Sequence, residues 1–228
     1  MRKVPLAPGE FYHIYNRGAR KYPLFKDDYD RGRFLFLLLY GQSPEPLENV
    51  GFYTKNYDRQ GKYAVGEKQL EKIITNRFVS LNCFILMDNH FHISVEEKLE
   101  RGIASYMQKV STGFTNYLNK KYDESGHAFQ GPFRSVHIKD NEQLLYTSAY
   151  IHRNITDDSL WKRWEEKYPW SSYQDYVKEN RWAGLLKTNS ILDQFETTKE
   201  YHEWVKTSGA KGFFDEEEMQ KLYGTLPF

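Results

Sequence analysis

His90-Phe91-His92 places two imidazoles at positions i and i+2. On a β-strand such residues share a face, with Phe91 pointing the other way. Two neutral imidazoles side by side suit a divalent metal. The same spacing also serves two polar side chains on a half-exposed strand. No cysteine or third histidine lies nearby in sequence, which argues against structural zinc. Tyr150 and Asn154 stand four residues apart, and on a helix that spacing brings a phenol and an amide oxygen to one face. Tyr146, one turn earlier, offers the same residue type for plain core packing. Taken together, His90, His92 and Asn154 would make a three-ligand site with open positions. Such a site suits a hard cation, Mg²⁺ or Mn²⁺, that keeps water and phosphate oxygens as its other ligands. The cation would polarise a phosphodiester, and Tyr150 would attack phosphorus to form a covalent intermediate. A DNA hydroxyl can displace the phenol again, so cleavage and rejoining need no nucleotide cofactor.

The elements that must position these residues follow from pattern. Residues 10–15 read as a strand, bounded by Pro8-Gly9 and Gly18. Residues 29–40 read as a buried helix with Asp27 and Asp28 at its start. From 41 to about 66 the chain is rich in Gly, Pro, Asn and Asp, which reads as a long loop or insertion. A short helix is expected over 67–75, a strand over 79–86, and a tight turn at Met87-Asp88-Asn89 suited to a left-handed Asn. The return strand is 90–95. Apolar residues at helical spacing predict a long helix over 99–121. A fourth strand is expected at 133–138, and Asp140 or Asn141 caps a helix over about 142–155. Arg134 falls in that strand, while Arg17 and Arg20 fall in the loop after the first strand. A short helix follows Tyr168–Tyr173. The order gives an α+β class: a ferredoxin-like β-α-β-β-α-β antiparallel sheet with an added helix behind it. That unit spans residues 1–183, and a helical extension, 184–228, holds helices near 191–205 and 215–222.

Composition bounds the function less sharply. The 228 residues suffice for a large core without staples. One cysteine, Cys83, excludes an intramolecular disulfide framework and makes a reducing, cytoplasmic setting the expectation. No apolar segment follows the charged start, so a signal peptide is not expected. The longest apolar run, from Phe34 to Tyr40, is far short of the ~20 residues of a membrane helix. The formal charge is +1, which alone does not point to nucleic acid. Its distribution is uneven: 98–139 holds seven basic and three acidic residues, and 175–228 holds seven basic and ten acidic ones. The aromatic fraction of 17% serves base stacking or core filling equally.

The chain resembles the REP-associated tyrosine transposases, relatives of the small single-tyrosine insertion-sequence transposases with a histidine–hydrophobic–histidine motif. The resemblance runs from about Pro8 to Tyr176. It is carried by Tyr12-His13-Ile14-Tyr15-Asn16-Arg17-Gly18, Leu86-Met87-Asp88-Asn89-His90-Phe91-His92, residues 126–134, Tyr150-Ile151-His152-Arg153-Asn154 and Trp170-Ser171-Ser172-Tyr173, in that order. It implies His90 and His92 as metal ligands, Tyr150 as the nucleophile and Asn154 as the third ligand. It also implies single-stranded DNA hairpins as substrate, with the chain acting as a monomer or homodimer. Two positions depart from the family pattern. Asp88 stands where the family often has Pro before Asn-His, and Ile155 stands where Pro usually follows the signature Asn, which bears on how Asn154 is aimed.

Arg17, Arg20, Lys109, Arg134 and Arg153 are the candidate phosphate contacts, with Lys120 and Lys121 also on the long helix. Each also serves as an ordinary solvated charge. Arg134 and Arg153 lie nearest the chemistry in sequence. Three readings follow: a DNA-nicking and joining enzyme using Tyr150; a DNA- or RNA-hairpin-binding protein without catalysis; and a metal hydrolase using the His pair to activate water. The hydrolase would need further ligands, and His13 and His137 sit on predicted strands without a His–x–His partner.

Overall fold

The computed structural model describes residues 5–57, 61–157, 161 and 165–210. Four strands, β1 (Phe11–Arg17), β2 (Val79–Met87), β3 (His90–Glu97) and β4 (Arg134–Ile138), form one sheet in the order β2-β3-β1-β4. Every adjacent pair is antiparallel. With α1 (Asp28–Tyr40) between β1 and β2, and α4 (Gly102–Tyr122) between β3 and β4, this is the expected ferredoxin-like α+β arrangement.

Register decides what each face of the sheet carries. Tyr15 lies opposite His92 and Arg17 opposite His90, while β2 sets Ile85 against His92 and Met87 against His90. Paired residues share a face, so His13, Tyr15, Arg17, His90 and His92 all project to one side. Ile14, Phe91, Ile93, Val95 and Phe84 project to the other. That second face meets α1 and α4, where Phe34, Phe91, Phe114 and Phe129 form an aromatic cluster. α1 is buried from Phe34 to Tyr40 because α2 (Val50–Lys55) covers its outer side with Tyr53. The segment 41–66, which reads as a long loop or insertion, contains this helix. Val50 and Tyr53 find apolar partners that a local pattern cannot reveal.

Four boundaries matter for the site. β1 runs two residues further than expected, so Arg17 ends the strand rather than lying in the loop. The next residue is Gly18, whose missing Cβ leaves room for the Tyr22 carbonyl oxygen, while the Tyr22 N–H closes the Ala19–Lys21 turn by donating to the Ala19 carbonyl. The Asp88-Asn89 hairpin turn uses no positive φ, contrary to the left-handed Asn expected there. α4 begins at Gly102, later than expected, where the Glu97 carboxylate accepts from the backbone N–H groups of Gly102 and Ile103. α3 (Glu67–Thr75) has the expected bounds.

α5 (Asn141–His152), capped by Asp140 accepting from Gln143 N, lies across the histidine face of the sheet. It stops at His152, not 155. Beyond it, α6 (Tyr173–Val177), α7 (Asn189–Leu192) and α8 (Thr198–Thr207) pack in turn. The helix expected over 191–205 is therefore two, because Thr197 caps α8 by accepting from Glu200 N. Tyr201 and Val205 of α8 are fully buried against α5 and α6. The helix expected at 215–222 lies outside the described residues. Among the described residues no helix is long and apolar enough to cross a membrane.

Candidate active site

β3 and β1 supply one wall of the site and α5 the other. His90 Nδ1 lies 2.7 Å from Asn89 Oδ1, and an amide oxygen can only accept, so His90 donates from Nδ1. Asn89 thereby orients His90, which is the turn residue's contribution here. The His90 Nε2 lone pair then faces Asn154 Oδ1 across 3.2 Å. Asn154 reaches this position from a 3-10 turn, Asn154–Asp157, and not from the helix as its spacing from Tyr150 suggested. Arg153 caps α5 between them, its N–H donating to the Ala149 carbonyl.

His92 is enclosed more tightly. Its ring stacks on Tyr15 at 5.6 Å between centroids and meets the Tyr150 ring edge-on at 5.6 Å. His92 Nδ1 lies 2.9 Å from His13 Nε2. His13 also meets Tyr150 edge-on, at 6.0 Å. Tyr150 is 3% exposed. His13 thus joins the candidate site although it has no His–x–His partner in sequence. Its partner is across the sheet, diagonal to it, and only the strand register reveals that.

Burial sets the protonation of all three rings. It lowers His13 to about 3. It lowers His92 well below the usual range, and neighbouring His13 and His90 push it further in the same direction. His90 is also lowered by burial, against an opposing contribution from Asn154. Each ring is therefore uncharged at neutral pH and keeps a lone pair, which a metal ligand requires. Two ligands in adjacent positions of an octahedral Mg²⁺ site stand ~3 Å apart when each bond is ~2.1 Å. Facing acceptors at His90 Nε2 and Asn154 Oδ1 match that separation, so this pair fits two adjacent ligand positions of a hard divalent cation. Among the described residues no group of three His, Cys, Asp or Glu side chains is placed to hold a metal. The candidate set differs by having an amide oxygen as its third donor.

The candidate phosphate contacts divide. Arg134 lies opposite Tyr15 on β4, exposed, on the histidine side. Burial raises the Tyr15 phenol, and the Arg134 guanidinium beside it opposes that rise. Arg17, opposite His90, is held by the Gln130 side chain, while Gln130 N donates to the Arg17 carbonyl. The residue 126–131 segment is thus a brace for this end of β1, and Asn16 Nδ2 adds a 2.9 Å bond to the Gly131 carbonyl. Arg20 is exposed in the turn beyond Gly18. Arg153 is half-buried at the end of α5. Lys109 is not brought to the site. It lies on α4, across the sheet, where its ammonium donates to the carbonyls of Ser43 and Glu45. His137 is likewise on the far face, paired with Glu10 at 2.7 Å.

The sheet order and the two helices behind it define a ferredoxin-like α+β protein with histidines and a tyrosine between sheet and α5. No family model matches the sequence, and no curated protein matches it. A solved structure with the same fold is that of the REP-associated tyrosine transposase bound to a REP hairpin. The two align with a TM-score of 0.52 and 15% identity, over 81% of this chain and 90% of that one.

Proposed function

We propose that this protein is a metal-dependent single-stranded DNA endonuclease and strand transferase that works at DNA hairpins through Tyr150. The observation that carries the reading is the packing of the Tyr150 ring against His92, beside a His90–Asn154 pair spaced as two ligands of one cation. The fold shared with a transposase solved on a REP hairpin supports the choice of substrate.

The Tyr150 oxygen attacks the phosphorus of a phosphodiester. A bond forms between that oxygen and phosphorus, the bond from phosphorus to the 3′ oxygen breaks, and the 5′ phosphate stays on the tyrosine. The phenolic proton leaves, and the 3′ oxygen takes up a proton to become a hydroxyl. Attack by another 3′ hydroxyl reverses the step and joins the strands. His90, His92 and Asn154 would hold Mg²⁺ or Mn²⁺, which supplies charge stabilisation at the phosphoryl oxygens. Tyr15 and His13 keep the His92 ring in place, and Arg134 lends positive charge to the same face.

One observation favours a second reading, a hairpin-binding protein without catalysis. At 3% exposure Tyr150 is covered in this state, and its neighbours must yield before a phosphodiester reaches it. A trapping assay separates the two. The protein is incubated with Mn²⁺ and labelled single-stranded hairpins from the DNA flanking its gene, then run on a denaturing gel. The proposal expects a covalent protein–DNA band that is lost in Tyr150→Phe and His92→Ala. Hairpin binding with no band, across several metals and hairpins, supports the second reading.

A further inference from the structure

We propose that His13 is a positioning residue that sets the tautomer of His92 and so makes His92 able to bind metal; this rests on the metal reading above. An uncharged imidazole carries one N–H and one lone pair. Two imidazole nitrogens 2.9 Å apart must share one proton between them. If His92 donates from Nδ1, its lone pair is on Nε2. If instead His13 donates from Nε2, His92 accepts on Nδ1 and carries its proton on Nε2, where no metal can then bind. Since Nδ1 of His92 is engaged by His13, a metal on His92 has to take Nε2. The contact therefore links the tautomer of one ring to the ligand capacity of the other.

The surroundings leave the link little slack. Both rings are nearly fully buried. His92 is clasped between the stacked Tyr15 ring and the edge of Tyr150, which hold the plane of its ring. His13 is fixed by its own ring contacts, 5.4 Å from Tyr15 and 6.0 Å from Tyr150. The pairing is diagonal: His13 sits opposite Ser94, one same-face step along β3 from His92. His90 has an analogous orienting partner in Asn89. Each candidate histidine ligand thus has its Nδ1 engaged by a residue that is not itself a ligand, an arrangement that holds imidazoles in metal sites.

The test measures Mn²⁺ binding to the full-length protein by calorimetry, with thermal melting of the metal-free variants as a folding check. His13→Leu removes the acceptor. The expected result is an Mn²⁺ affinity lower by about 10- to 100-fold, the usual cost of losing an orienting partner. His13→Gln places an amide oxygen at the reach of Nε2 and is expected to recover most of that loss. Nitrogen-15 spectra of the metal-free wild type supply an independent readout: His92 should be protonated on Nδ1. A His92 protonated on Nε2, or a folded His13→Leu that binds Mn²⁺ as wild type does, overturns the inference and leaves the metal site standing. Wild type that takes up no Mn²⁺, or His92→Ala that takes it up unchanged, overturns the metal reading itself and this inference with it.

Discussion

Replacing Tyr201 with phenylalanine tests whether α8 holds the helix that carries Tyr150. Tyr201 is fully buried, and its hydroxyl lies 3.1 Å from Ser148 Oγ and 2.7 Å from His152 Nδ1, both on α5. Ser148 donates to the Leu145 carbonyl, Tyr201 donates to Ser148 and His152 Nδ1–H donates to Tyr201, which leaves His152 Nε2 to accept from Ser172 at 2.9 Å in competition with the Phe84 carbonyl for that hydroxyl proton. Phenylalanine keeps the ring contacts with Phe195 and Tyr176 but deletes the hydroxyl between two buried groups. Leaving a buried donor unsatisfied costs ~1–3 kcal/mol. At roughly 2–4 °C per kcal/mol for a chain of this size, Tm should fall by about 2–12 °C. Urea midpoints of Tyr201→Phe, Ser148→Ala and the double variant complete a cycle. Residues in one network should show a coupling energy of ~0.5–3 kcal/mol. Additive effects, or a Tyr201→Phe as stable as wild type, would refute the clasp and leave α8 merely lying on the surface of α5.

Further outcomes follow from other buried groups. Asp30 is fully buried and receives Tyr117, Tyr122, Lys121 and the Lys26 N–H, so Asp30→Asn should cost ~3–5 kcal/mol in urea unfolding. Lys121 keeps Asp27 as a second partner, which favours the lower end of that range. Burial lowers His13 and His152 from 6.5 to about 3, so the unfolded chain takes up protons first as pH falls. The stability from each is complete above pH 6.5 and is lost progressively toward pH 3. In chelator-containing buffer the loss should be ~1.4 kcal/mol per pH unit for each ring, and a flat stability profile between about pH 7 and pH 5 would contradict it. Arg134→Ala should weaken hairpin binding and reduce the salt slope by about 1, measured by fluorescence anisotropy. Lys109→Ala should leave both unchanged, because its ammonium is spent on the Ser43 and Glu45 carbonyls.

What could be read from the chain is what depends on local spacing. The i, i+2 rule put His90 and His92 on one face, and strand and helix periods gave the ferredoxin-like order. What escaped reading depends on pairing between distant segments. His13 looked isolated because its partner lies 79 residues away, brought near only by the β1–β3 register. Asn154 keeps company with His90, although the helix assumed to aim it ends at His152. Lys109 had the charge of a phosphate contact, but α4 packs on the opposite face of the sheet. The charge pattern of residues 184–228 carried no sign that Tyr201 reaches α5, since a buried hydroxyl network leaves no periodicity.

If Tyr150 is the nucleophile, as proposed, the trapped adduct must map to its phenolic oxygen. The covalent protein–DNA complex formed with Mn²⁺ is digested with nuclease and protease, and the peptide bearing the remaining nucleotide is sequenced by mass spectrometry. A phosphodiester on Tyr150 is the expected result. An adduct on Tyr146, whose ring packs against Trp204, or on Tyr117, whose hydroxyl is bonded to Asp30 on the far face, would contradict it.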